Sequence, residues 1–96
     1  MSNRFKKAVI DDVSSSSIDE ALKASLLDLF ESAMKMVATT LVREAKFDIS
    51  DFASAKKRYC EGFELFVSRA RPDSRNEWFG TFHRGEQRLN VIGHLE

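Results

Sequence analysis

The chain has 96 residues, 15 of them Lys or Arg and 15 Asp or Glu, so its formal net charge at pH 7 is zero. That balance argues against capture of nucleic acid or an anionic membrane by bulk charge, and a chain of this length makes one domain, 1–96. One cysteine, Cys60, excludes an intramolecular disulfide and suits a reducing, cytoplasmic setting.

Phe5, Val9 and Val13 are spaced by four, which permits a short helix over 4–13, while Ala8-Val9-Ile10 fits a short extended run equally well. Asp11 and Asp12 follow at once, so the apolar stretch is too short for the core of a signal peptide, and no run of about 20 apolar residues exists to cross a bilayer. Ser14 to Ser17 read as a linker, because serine hydroxyls compete for backbone hydrogen bonds; residues 1–17 are accordingly expected to be a flexible segment.

From Ser17 the pattern becomes helical. Ser17 and Glu20 have capping-box spacing, and neither Gly nor Pro interrupts the segment up to Lys46. At 100° per residue, Ile18, Leu22, Leu26, Leu29, Ala33, Met36 and Val37 share one quarter of the wheel; Leu27, Phe30, Met34, Ala38, Leu41 and Ala45 widen the apolar arc towards half. Glu31 and Lys35 stand on the polar side in the favourable i,i+4 order. A helix over 18–46 would be roughly 43 Å long at 1.5 Å per residue. A compact chain of about 100 residues is only some 35 Å across, so such a helix overhangs a monomer. Overhang and arc width together predict a homodimer, with Leu27, Phe30, Met34 and Leu41 at its interface.

Past a turn at Phe47 to Ile49, Ser50 and Asp51 suit the start of a second helix over 51–70, with Phe52, Ala55, Tyr59, Phe63, Phe66, Val67 and Ala70 in one stripe. Leu65 falls on its polar side. Pro72 ends the segment. The expected fold is therefore all-α: an antiparallel hairpin of helices 18–46 and 51–70, pairing with a second copy as a four-helix bundle. In the tail, 71–94, Ser74 and Glu77 repeat the capping spacing and favour a short helix from Arg75 to about His83. The alternation of Arg88 to Ile92 and the glycines at 80, 85 and 93 offer instead a hairpin with strands near 78–83 and 88–92. Leu95-Glu96 have the look of a cloning remnant and are set aside.

No cluster of residues carries recognisable chemistry. Cys60, His83 and His94 lack the spacing of a nucleophile with its base or of a zinc site, and there is no GxGxxG, Walker or GxSxG motif. The paired acids Asp19-Glu20 read as decoration of a helix N-terminus. No enzyme activity and no cofactor are expected. The tail mixes arginine with aromatics, the composition of protein-binding hot spots and of single-strand nucleic-acid platforms. Arg69, Arg71, Arg75, Arg84 and Arg88 are offset by Asp73, Glu77 and Glu86, which leaves too little charge for a phosphate-led contact. The sequence thus predicts a small non-catalytic regulatory or adaptor protein that binds itself and another protein. Its contact residues are expected to be Leu65, Arg75, Trp78, Phe79, Phe82 and Arg84, and a nucleic-acid-associated regulator using the same tail is the alternative.

Overall fold

In the computed structural model, residues 5–10, 17–37, 42–52, 58–71 and 76–95 are described. They form five strands and one α-helix in the order β1 (Phe5–Ile10), α1 (Glu20–Val37), β2 (Glu44–Asp48), a 3-10 turn (Ile49–Asp51), β3 (Glu64–Arg69), β4 (Glu77–Arg84) and β5 (Gln87–Leu95). The strands make one antiparallel sheet in the order β1-β5-β4-β3-β2. The first two strands therefore sit at opposite edges, α1 carries the chain across, and the remaining strands return by successive neighbours to meet β1. The expected all-α hairpin and four-helix bundle are overturned: the fold is an antiparallel sheet with a helix on one face.

The helix is real but shorter than the periodicity suggests. Asp19, not Ser17, caps it: the Leu22 amide donates to Asp19 Oδ1 at 2.7 Å. Its buried residues Leu22, Leu26, Leu29, Phe30, Ala33, Met34 and Val37 follow the helical spacing read from the sequence. The second apolar quadrant serves this chain's own sheet. Phe30 and Met34 are fully buried against it, because a helix lying over a broad sheet meets side chains on either flank as well as beneath. At about 27 Å for 18 residues, α1 fits within the 33 × 28 × 24 Å extents, and the overhang that argued for a bundle disappears.

Residues 44–46 and 64–69, expected to be helical, and residues 47–48, expected to be part of a turn, lie in strands. In Glu44-Ala45-Lys46-Phe47-Asp48-Ile49 charged and apolar residues alternate, which places Phe47 and Ile49 in the core and the charges outside. In β3 the inward residues are Leu65 and Val67, while Phe66 points the other way and is 41 % exposed. Between these strands, Asp48 rather than Ser50 caps the 3-10 turn, in a reciprocal capping box with Asp51. The tail takes the hairpin reading: β4 and β5 pair from Glu77–His94 to Arg84–Gln87 around a turn at Gly85, whose φ of 60° suits glycine. Leu95, set aside in the sequence reading, is part of β5 and pairs with Phe5. At the N-terminal end the extended reading of Ala8-Val9-Ile10 is the one that forms, as β1. The serine linker falls outside the described residues except for Ser17.

The core lies between α1 and the inward face of the sheet: Leu65, Val67, Trp78, Phe82, Leu89 and Val91 with the helix side chains, closed at one end by Phe63, which meets Phe82 edge-on at 6.4 Å. Each fully buried large side chain contributes about 1.5–3 kcal/mol. Beyond packing, Lys7 on β1 reaches Glu31 on α1 and ties the helix to the sheet edge.

Candidate functional site: the open face of the sheet

Strand alternation leaves the second sheet face without a covering layer among the described residues, and the register fixes what it presents. Two rows cross its middle. One runs Ala8, Ile92, Phe79, Ser68, Glu44; the next runs Ile10, Asn90, Thr81, Phe66, Lys46. Charged rows flank them, Lys6-His94-Glu77 at one end of the strands and Arg88-His83-Glu64-Asp48 at the other. The surface has an apolar and small-polar middle and a charged rim, the anatomy of a protein interface.

Side-chain geometry sharpens this picture around Phe66. Its ring stacks on the His83 imidazole at 5.2 Å and 10°, and Lys46 Nζ stands 5.5 Å from the ring centre. Glu64 joins the two basic groups: Oε2 is 2.8 Å from Lys46 Nζ, and Oε1 is 3.5 Å from His83 Nε2. The hydrogen bond to Glu64 raises the Lys46 ammonium pKa above its ordinary value, so the amine is held charged. Beside this cluster Phe66, Ser68, Phe79, Thr81, Glu44 and Lys46 line an open depression of about 470 Å3. Thr81 Oγ1 donates to Asn90 Oδ1 at 3.0 Å, so the two polar side chains of the middle row are tied to one another across β4 and β5.

The sheet edges are guarded where the face is not. Lys7 on the outer strand β1 turns a charge to the helix side, and β2 at the other edge is five residues long with Glu44, Lys46 and Asp48 along it. Short edge strands and inward or lysine charges are devices that discourage strand addition.

Of the six expected contact residues, only Phe79 lies on this face. Leu65, Trp78 and Phe82 are core residues with no exposure, and Arg75 lies outside the described residues. Arg84 is an internal clamp: it sits 4.2 Å over the Phe63 ring, donates to the Glu61 carbonyl at 2.8 Å and to Gln87 Oε1 at 2.9 Å. Arg69 likewise sits over the Trp78 ring, at 4.5 Å. Arg69 and Arg84 thus cover core aromatics instead of opening an arginine-aromatic surface. Among the expected dimer residues, Phe30 and Met34 are interior, Leu27 is half-buried against the core, and Leu41 lies outside the described residues. Sequence reasoning missed Phe66, Ile92, Lys46, Glu64 and Arg88, all of which follow from period-two alternation once the strands are known.

Cys60 is a buried thiol in the turn before β3. Among the described residues no group of His, Cys, Asp or Glu is placed to hold a metal ion, and no helix is long and apolar enough to cross a membrane. Comparison with protein-family models, with curated proteins and with solved structures finds no match to this chain.

Proposed function

We propose that this chain is a small non-catalytic interaction protein, of regulatory or adaptor type, whose working surface is the open face of its sheet. The observation that carries this reading is Phe66: a large aromatic on a central part of the fold, 41 % exposed, beside Phe79 and Ile92 and ringed by charges of both signs. An apolar centre with a mixed charged rim suits a protein partner. The Lys46–Glu64–His83 cluster does not suit lysine catalysis, since a lysine base or nucleophile needs a lowered pKa and Lys46 is shifted upward. A buried thiol at Cys60 accords with a reducing compartment such as the cytoplasm.

The nucleic-acid alternative has Phe66 and its stacked His83 in its favour, as exposed aromatics on a sheet can stack bases. Against it stand Glu44, Asp48, Glu64 and Glu77 on the same face, where they would repel phosphates. The test is immobilised parent protein compared with Phe66→Asp, matched for native circular dichroism. Proteins retained by the parent and lost with the variant support the reading. Equal retention by both contradicts it, and bound nucleic acid released steeply by salt favours the alternative.

A further inference from the structure

We propose that the open sheet face pairs with the same face of a second copy, about a two-fold axis parallel to the strands; this rests on the reading that this face is the working surface. The face is divided electrostatically. Among the described residues its β2–β3 half carries Glu44, Asp48 and Glu64 against Lys46, a net of minus two, while its β5–β1 half carries Lys6 and Arg88 and no acid. A closed homodimer uses the same patch twice, so a patch with one acidic and one basic half is self-complementary if the symmetry axis exchanges the halves. Of the two in-plane axes, only the one along the strands does so. The axis across the strands would lay the net acidic half on itself and leave Glu64 with no base to face, although Glu44 would then meet Lys46.

With the favoured axis, β4 lies over β4 of the partner and β3 over its β5. The strand position of Glu64 is the same as that of Arg88, two strands away in the same row. Glu64 of one copy therefore faces Arg88 of the other, twice per dimer, and Phe66 meets the stretch between Asn90 and Ile92. Size agrees as well. Five strands at about 4.8 Å spacing and roughly 22 Å mean length give a projected face on the order of 550 Å2. Side-chain relief brings the accessible area towards the ~800 Å2 per partner of a standard interface. Two twisted sheets packed face to face in this way form an aligned sandwich.

The experiment is sedimentation velocity at micromolar concentrations on the parent, Glu64→Arg, Arg88→Glu, and an equimolar mixture of the two variants. The parent is expected to sediment as a dimer, and each reversal, placing like charges together at two sites, to weaken self-association by about 100-fold. The mixture should dimerise again. In each heterodimer the two substituted side chains face one another with opposite charges at one site, and the native Glu64–Arg88 pair is kept at the second. Rescue by mixing cannot arise from a folding defect within either chain. A parent that stays monomeric, or reversals that leave its association unchanged, would overturn the proposal. So would single variants that weaken association but show no recovery on mixing. If the parent is monomeric yet still retains another protein in a Phe66-dependent way, the pairing fails and the reading of the face stands; if Phe66→Asp changes no interaction of any kind, both fail.

Discussion

The ring of Phe30 occupies the space that a side chain on Gly80 would need: a Cβ built on Gly80 would lie 2.7 Å from Phe30 Cδ1 and nearer still to Cε1. Gly93 on the next strand leaves the same kind of room, with a Cβ there 2.6 Å from Phe30 Cε2. The two glycines form a socket in the sheet for one helix aromatic, and this socket sets the depth at which α1 sits on β4 and β5. Gly80→Ala is expected to cost about 1–3 kcal/mol through overpacking. Because the clash is with Phe30, the double variant Gly80→Ala, Phe30→Leu should cost less than the sum of the single changes. Additive losses in chemical denaturation would show that the two residues do not share the space.

Trp78 and Phe79 are sequence neighbours with opposite fates. Trp78 is fully buried under α1, whereas Phe79 stands half-buried on the open face. Trp78→Ala should therefore lower stability by ~3–5 kcal/mol, and Phe79→Ala, measured in the monomeric form, by well under half of that. Thermal or urea unfolding of the pair checks the face assignment of β4 directly.

Asp19 does two jobs at once. Its carboxylate caps α1 at Leu22 and accepts the Tyr59 hydroxyl at 2.9 and 3.0 Å, so it joins the helix N-terminus to the turn before β3. The Leu22 amide first, and the Tyr59 hydroxyl second, hold its pKa below 3.8. A folded-state value below the ordinary one means that the linked stability is present above pH 3.8 and is lost as pH falls through the depressed value. In Tyr59→Phe, an NMR titration of Asp19 should show its pKa rising part of the way to 3.8, with the Leu22 contribution left in place. An unchanged value would mean that the phenol contributes nothing in solution.

Glu31 behaves in the same direction for a different reason. The Lys7 hydrogen bond is the largest influence depressing its pKa below 4.5, with Lys35 adding to it. Lys7→Met should raise the Glu31 pKa and shift acid unfolding to higher pH, since the paired carboxylate then protonates earlier. The same substitution removes the inward charge from the β1 edge, so increased aggregation at high concentration is the accompanying expectation.

Much of the helix was legible and most of the sheet was not, for reasons that particular residues make plain. Leu22, Leu26, Leu29, Ala33 and Val37 repeat at helical spacing with no competing period, and α1 forms on them. In the described stretch from Glu44 the wheel fit of Ala45 is a coincidence, for Ala45, Phe47 and Ile49 alternate with charges, the period of a strand. Leu65 was the warning within the second segment: stranded on the polar side of a helical wheel, it is a core residue of β3 once the period is two. Gly80 and Gly93 read as breakers when taken alone, and only the position of Phe30 explains them as a socket within strands. The open face was beyond reach for a related reason. Phe66, Ile92 and Arg88 come together only through the register of several strands, a long-range pairing that local spacing does not encode.

If the molecule acts through the sheet face that carries Phe66, and not through the outer side of α1, one substitution on each side separates the two possibilities. Phe66→Asp and Ala24→Asp are compared for association by sedimentation and by partner retention, with folding verified for both. Ala24 is exposed on the helix surface away from the sheet. Phe66→Asp is expected to remain folded and to lose self-association and partner retention, while Ala24→Asp behaves as the parent. Loss of association in Ala24→Asp with full retention in Phe66→Asp would contradict the assignment of the working face.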